Sequence, residues 1–553
     1  MRDVLLPLRK RHFLVLALCF LVPVRPLRAQ MVPTHISHEG IYRFLDELAT
    51  AGHIGLNSLM KPYSRAYIAE KLDEAETHSE ALTSRQRSEL AFYQADYNKG
   101  RDASAPATSW LWQKNHGPKR PDLFYYSDSL FQITVNPIVG IDVWSNENGR
   151  FTHWWNGVEA HATVGRFGIW SSLRDNHESE ELTARDFRNQ NIGGANIKRF
   201  SDGSRDFEEF RGGISYSWDW GYAGLIMDQF AWGENNAGAS IFSGRTPAFP
   251  RFELSMEPTR WFCFKWIHAS LVSEVVDSAS SFYISPFGDP EYRRVYFDKF
   301  MSANMFSFTP WPGLQLSAGN SVIYDSHSAR PGFLIPVAFY KAIDHTQNAG
   351  IDNMNSQLFL SFSSRNLKNI HLYGTVFIDE FAASRVFNDS LFNFVSYKGG
   401  LSTTLIPNTR FVVEYTWSNA LTYMHYVPTT TFESNRYNLG HYLEDNAREL
   451  YLEAAWRPWR ALNLKAWYRH ASKGPDHSAL GTSRLGIVPF EPIVWESMHA
   501  GVLASLQLSN EFYLRLGYEW RRVSGEEAYI EQWTAGPYHG ETGTWRMGIN
   551  IGF

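Results

Sequence analysis

Nine residues at the end of the chain, Trp545-Arg546-Met547-Gly548-Ile549-Asn550-Ile551-Gly552-Phe553, alternate without a break. Trp545, Met547, Ile549, Ile551 and Phe553 share one face of a strand, and Arg546, Gly548, Asn550 and Gly552 share the other. Such a strand fits lipid on one side and a wet lumen on the other, and bacterial outer-membrane barrels commonly close on an aromatic residue. A half-buried sandwich strand alternates too, so a single strand leaves both folds open. The pattern recurs, however. Phe512, Leu514, Leu516, Tyr518 and Trp520 alternate with Tyr513, Arg515, Gly517 and Glu519. Leu450, Leu452, Ala454 and Trp456 alternate with Glu449, Tyr451 and Glu453, and Leu462, Leu464, Ala466 and Tyr468 alternate with Asn463, Lys465, Trp467 and Arg469. Phe411, Val413, Tyr415 and Trp417 enclose Glu414 and Thr416. Charges inside apolar strands suit a water-filled lumen and suit a dry core poorly, because unpaired buried charge is costly.

The other end of the chain reads as an export signal. Residues 1–29 carry a basic start (Arg2, Arg9, Lys10, Arg11), an apolar stretch from Phe13 to Val22 and a small residue, Ala29, at the expected cleavage point. Cys19 raises a lipoprotein reading, which Leu18 disfavours by standing where a small residue belongs. The signal holds six of the 52 Lys and Arg and one of the 57 Asp and Glu, so the remainder is acidic, which argues against a nucleic-acid partner. Cys263 is then left without a disulfide partner. After residue 29 no apolar run approaches the ~18 residues of a membrane-spanning helix. An exported chain that is 15% aromatic and has no such helix is periplasmic, secreted or a barrel.

Residues 30–99 have helical periodicity and are expected to form a small bundle separable from the rest. Ile41, Phe44, Leu45 and Leu48 mark the first helix. Ser64 is placed as an N-cap before Ile68, Ala69, Leu72 and Ala75, and Thr83 with Gln86 has capping-box spacing before Leu90, Tyr93 and Tyr97. Residues 100–121 read as a linker, and residues 122–553 as an all-β transmembrane barrel of about 18 antiparallel strands. Counting back from Phe553, short turns (Ser509-Asn510, Arg457 to Arg460, Pro407 to Thr409) alternate with long loops at 524–544, 473–494, 418–447, 323–355, 229–250 and 174–206. A barrel with turns at the periplasm and loops outside requires this rhythm, and a sandwich does not. The count gives seventeen strands, so one is missing within 120–160, where Asn136-Pro137 and Asn146-Glu147-Asn148-Gly149 break the pattern.

Several short stretches, in order, resemble the Wzi family of outer-membrane capsule-assembly proteins. They include Leu45-Asp46-Glu47-Leu48-Ala49, Gly52-His53-Ile54 and Lys61-Pro62-Tyr63-Ser64-Arg65. Trp155-Asn156-Gly157-Val158-Glu159, Leu173-Arg174-Asp175-Asn176, Asp228 to Gly233 and Pro247-Ala248-Phe249-Pro250 follow. Trp261 to Phe264, Ser321 to Tyr324, Asp352-Asn353 and Gly440-His441-Tyr442 continue the series. The resemblance implies an eighteen-stranded barrel in the outer membrane with helices at its periplasmic mouth, and a lectin-like role in holding capsular or surface polysaccharide. It carries no individual ligand residue over. Outer-membrane lipid and the barrel-assembly machinery are the other expected partners.

The long loops hold sugar-compatible residues. Tyr426, Arg436, Tyr437 and Tyr442 in 418–447, Tyr340 in 323–355 and Trp533 in 524–544 are the candidate ligand-binding residues, set against a role in the interfacial girdle or in a plug. His425, His441, Asp445, Phe339, Lys341, His345, Tyr529, Tyr538 and His539 accompany them. His35 with His38, and His425 with His441, lack a third ligand at metal spacing, so no metal or cofactor is expected. Asp228 and Glu234 resemble a carboxylate pair but have no fixed separation, and lumen charge is preferred. No catalytic residue is assigned. A binding protein is the expectation; a porin or transporter, and then a barrel enzyme acting on lipid or glycan, are the rivals.

Overall fold

A computed structural model describes residues 31–99, 107–110, 122–182, 195–285, 288–347, 353–386, 392–477 and 487–552. The expected signal, most of the linker and Phe553 lie outside the described residues. Eighteen antiparallel strands close a barrel. In chain order they are β1 Phe131–Asn146, β2 Gly149–Val164, β3 Phe167–Glu178, β4 Arg205–Trp218, β5 Gly221–Met227 and β6 Pro250–Thr259. There follow β7 Phe262–Val276, β8 Tyr296–Trp311, β9 Leu314–Asp325, β10 Met354–Leu367, β11 Ile370–Glu380 and β12 Phe394–Thr403. The last six are β13 Thr409–Ser418, β14 Ala447–Trp459, β15 Leu462–Lys473, β16 Trp495–Ser509, β17 Phe512–Gly525 and β18 Glu541–Ile551. β18 returns to β1, from Trp545 opposite Ser145 to Ile551 opposite Val139. The strand missed in the sequence is found here: β1 and β2 are joined by a tight turn over Asn146 to Gly149, at the end where the other connections are long. Gly149 turns the chain with φ 135°. Pro137 does not interrupt β1.

The faces follow the alternation. Trp545, Met547, Ile549 and Ile551 are exposed on the outer wall, as are Phe411, Val413, Tyr415 and Trp417, while Glu414, Glu449 and Glu453 are buried inside. Trp220, Trp261, Trp311 and Trp459 stand exposed beside the short turns and mark an aromatic belt at that end.

Three helices pack at the short-turn end: α1 Glu39–Thr50, α2 Arg65–Glu76 and α3 Ser84–Tyr97. Their apolar faces form one core in which Ile41, Phe44, Leu45, Leu48, Ile68 and Leu72 are wholly buried. The Ser64 hydroxyl caps α2 by accepting from the Tyr67 amide at 3.0 Å, and Thr83 with Gln86 forms the reciprocal box on α3. The polar faces meet the barrel wall. Asp46 accepts from Arg365 at 2.7 Å and Arg410 at 3.2 Å. Glu89 pairs with Arg457 at 2.7 Å, Asp96 accepts from Asn510 at 2.6 Å, and His38 lies 3.0 Å from Glu511. Breaking one member of a buried pair is costly, so these contacts join the helices to the barrel although their periodicity is self-contained.

The connection between β5 and β6, residues 228–249, does not project outward. It runs down the lumen to the helical end, where Ala231–Trp232 pairs antiparallel with Met60–Lys61 and the Gly233 amide donates to the Leu59 carbonyl at 2.8 Å. Phe230, Trp232, Ile241 and Phe242 fill the space beside inward residues of β7 to β11, among them Ile267, Met301, Met305, Ile323, Phe359 and Phe377. Tyr423, Phe432 and Leu439 of the β13–β14 connection complete this apolar wedge. On this side the lumen is filled largely by apolar side chains. The wet character expected from the C-terminal strands holds for the other side.

Candidate functional site

A cavity of about 700 Å³ lies in the lumen between β14–β18, β1–β4, the helices and the inward-folded segment. Its floor is made by His35, Glu39, Arg43, Glu89 and Tyr93, and its roof includes Arg245, Tyr442, Trp533 and Tyr538. Ten Arg or Lys side chains and six Asp or Glu line it, in a chain whose formal net charge is −5. Alternation brings most of them together, since charges such as Arg174, Lys465, Arg469, Arg521 and Arg546 sit on the strand face opposite the lipid; Glu39, Arg43 and Glu89 come from the helices and Arg245 from the β5–β6 connection.

The cations are stacked on rings. The Arg521 guanidinium lies 4.2 Å from the Tyr538 ring centroid and Lys465 Nζ 5.1 Å from that of Trp467, while Lys473, buried behind the wall, holds its Nζ 4.1 Å from the Trp533 centroid. Arg546 is 5.4 Å from Trp144 and donates to Asp142 at 2.8 Å. Arg174 is 5.3 Å from Trp155 and 3.0 Å from Glu209. Arg469 faces Tyr442 and Tyr451 at 5.8 and 5.3 Å. His499 is hydrogen-bonded to Glu519 at 2.9 Å. Two of the tryptophans lie flat across glycines of the next strand. A Cβ on Gly140 falls 2.3 Å from the Trp155 ring, and one on Gly501 falls 2.4 Å from the Trp467 ring. Any larger residue there displaces the ring. Fixed aromatic faces, guanidinium forks and carboxylates in one enclosed space suit a hydroxyl-rich ligand with several contacts.

The residues singled out in the sequence separate. Tyr442 and Trp533 line the cavity. The Tyr442 hydroxyl donates to Glu449, and burial together with that carboxylate holds its phenol well above the usual range. Tyr437 is wholly buried and shares Arg245 with Tyr442, at 5.6 and 5.9 Å. Arg436 is exposed at the tip of the hairpin between Glu433–Ser434 and Tyr437–Asn438, with φ 63°. Tyr426 is half-buried against the His425 ring, 4.0 Å between centroids. Tyr340 is far from all of these: it is wholly buried on the outer wall of the barrel, where its hydroxyl accepts from Trp266 at 2.8 Å. Arg521, Arg546, Trp155 and Trp467 line the cavity without being among the candidate ligand residues. Their signal was a polar or aromatic residue opposite the apolar face of a strand.

The other clusters resolve into ion pairs. Asp228 accepts from Trp170 at 3.1 Å and lies 3.4 Å from Arg211. Glu234 accepts from Ser58 and lies 3.6 Å from Arg365 and 3.7 Å from His371. Burial alone would raise the Glu234 pKa, but His371, Arg365 and Lys61 hold it below the usual range. Among the described residues no group of three or more His, Cys, Asp or Glu is placed to hold a metal ion.

No family model and no curated protein matches the chain. Among solved structures it is similar to Wzi of Escherichia coli, an outer-membrane protein involved in group 1 capsule assembly and a carbohydrate-binding β-barrel. The TM-score is 0.57 at 12% identity, over 95% of this chain and 100% of that one. OpdK of Pseudomonas aeruginosa, solved with vanillate, matches at a TM-score of 0.40 and 9% identity, over 76% of this chain and 98% of that one. OccAB2 of Acinetobacter baumannii matches at 0.41 and 10%, over 76% and 97%. The resemblance carried by the short motifs is thus matched at the level of the fold: this chain has the architecture of Wzi.

Proposed function

We propose that this protein is an outer-membrane, lectin-like barrel that binds a surface polysaccharide in capsule assembly or retention. The long connections face outward and the N-terminal helices sit in the periplasm. The barrel-assembly machinery inserts it, and its role is binding rather than catalysis, with no cofactor. The observation that carries the reading is the cavity lined by cations set against Trp and Tyr rings, with Tyr442 and Trp533 at the end of the long connections. The Wzi-like architecture supports it. The apolar wedge and the three helices weigh against a porin, which needs a passage clear of side chains.

The test is a glycan array on the detergent-solubilised protein, with cell-bound against shed polysaccharide measured at matched barrel abundance. Tyr426→Ala with Arg436→Ala probes the exposed loop, and Trp533→Ala with Arg521→Gln probes the cavity. Loss of one well-made hydrogen bond costs about 1 kcal/mol, so double variants are needed for a clear effect. Retention of a glycan by the native protein and its release by either pair supports the reading. No glycan retained, together with steady conductance in planar bilayers, gives the porin reading instead.

A further inference from the structure

The connection between β9 and β10 is long enough to project into water, yet part of it lies on the outside of the barrel. Along β8 the outward positions Tyr296 and Phe308 are each 40% exposed. Between them Ser302 and Asn304 point the same way and are wholly buried. On β9 the outward residues Asn320, Val322 and Tyr324 are buried as well. Their cover is residues 331–340, Pro-Gly-Phe-Leu-Ile-Pro-Val-Ala-Phe-Tyr, ten residues without a charge, followed by the helix α4, Tyr340–Gln347.

The contact is built on polar groups of the wall. Ser302 donates to the Phe333 carbonyl at 2.7 Å. Asn304 Nδ2 donates to the Pro336 and Ala338 carbonyls, both at 2.9 Å, and Asn320 Oδ1 accepts from the Tyr340 amide at 2.8 Å. Asn304 and Asn320 are joined to each other at 2.7 Å. Phe333 and Tyr340 are wedged beside Tyr324 and Trp266. The other side of the strap exposes Leu334, Ile335, Val337 and Phe339, at 42, 50, 62 and 51%.

The height of this strap follows from the register. Asn304 lies seven residues above Trp311 of the aromatic belt on the same strand. At about 3.3 Å per residue and a tilt of about 40° that is roughly 18 Å along the barrel axis, inside an apolar band about 25 Å tall. Irregular backbone is excluded from hydrocarbon because its polar groups go unsatisfied. Here Ser302, Asn304 and Asn320 satisfy the Phe333, Pro336 and Ala338 carbonyls and the Tyr340 amide, and turn bonds take up the Phe333 and Ala338 amides.

We infer that residues 331–340 form a strap embedded in the bilayer, whose exposed Leu334, Ile335, Val337 and Phe339 contact the acyl chains of the leaflet nearer the long connections. The inference rests on the barrel's spanning a membrane, and the controls separate the two. Val337→Cys, Leu360→Cys and Ser280→Cys are spin-labelled in turn and reconstituted in phosphatidylcholine vesicles, with the unsubstituted protein as the blank for buried Cys263. Leu360 is exposed on the outer wall of β10 and Ser280 in the β7–β8 connection. The reading is collision with dissolved oxygen, which concentrates in lipid, against a water-soluble nickel chelate. Val337 should match Leu360, with an oxygen-to-nickel ratio about tenfold above that of Ser280. A Val337 ratio equal to that of Ser280, with Leu360 lipid-exposed, overturns the strap alone. A water-exposed Leu360 overturns the spanning barrel. Close-range broadening between labels at Val337 assigns the patch to a second copy of the chain and also overturns the inference. Asn304→Leu with Asn320→Leu should free the strap and raise the mobility of the Val337 label. An unchanged spectrum removes the polar seam as its anchor.

Discussion

Asp46→Ala tests whether the helices are held in the barrel by the ion pairs at their polar faces. The Asp46 carboxylate is partly buried between Arg365 and Arg410, at 2.7 and 3.2 Å, with His371 at 3.6 Å. Removing one partner of a buried pair costs about 3–5 kcal/mol. Here the arginines keep other partners, Glu234 at 3.6 Å from Arg365 and Glu453 at 3.3 Å from Arg410, so the low end applies. A loss of about 3 kcal/mol is roughly a hundredfold rise in the undocked population. Hydrogen exchange of the α1 amides in the detergent-solubilised protein reads that population. Exchange at Leu45 and Leu48 should speed up about a hundredfold, with barrel amides such as Leu516 unchanged. The pH dependence has a definite sign. Burial alone would raise the Asp46 pKa, but Arg365, Arg410 and His371 outweigh it and hold it well below the usual range. The undocked helix therefore takes up the proton first. The contribution is complete above about pH 4 and is lost as pH falls further. Native protein should approach the variant in acid. Equal α1 exchange in both proteins at neutral pH refutes the argument.

Three other outcomes are expected. Leu516→Arg places a charge on the lipid face and should cost roughly 2–4 kcal/mol at mid-membrane, whereas Arg515→Leu on the lumen face, which loses a bond to Asn550, should be milder; the folded, heat-modifiable fraction on a gel compares them. Burial pushes the Asp445 carboxyl up to about 8, since only one of its oxygens is hydrogen-bonded, to the Tyr423 amide at 2.7 Å. Folded Asp445 keeps a proton that the unfolded loop releases, so the 419–446 connection should loosen as pH rises from about 4 towards 8, and Asp445→Asn should abolish that rise in proteolytic nicking. Trp232→Ala removes a wholly buried ring from the apolar wedge and should cost about 3–5 kcal/mol, visible as a lower unfolding temperature with barrel insertion retained.

The strand faces were legible because period-two alternation is a local property: Glu449, Glu453 and Arg515 announce the lumen wherever their neighbours are apolar. Helix starts at Ser64 and Thr83 were legible for the same reason. What is set by distant packing was not. Nothing near Phe230 or Trp232 says that this connection turns inward, because its partners are Met60 and residues of five strands. The strand count fell one short because Asn146 to Gly149 makes a tight turn at the end of long connections. Asn304 and Asn320 break the apolar face of their strands, a local sign of cover whose source, residues 331–340, lies further along the chain. Aromatic and polar content points to the long loops, while most of the cavity is supplied by strands. Only Tyr442 and Trp533 of the chosen six reach it.

The pairing of Met60–Lys61 with Ala231–Trp232 makes the helical segment and the β5–β6 connection one mechanical body. That connection also places Gln229, Ser243 and Arg245 in the cavity wall. The wall of the cavity and the seat of the helices are thus one stretch of chain, which turns its side chains to the lumen and its backbone to Met60–Lys61.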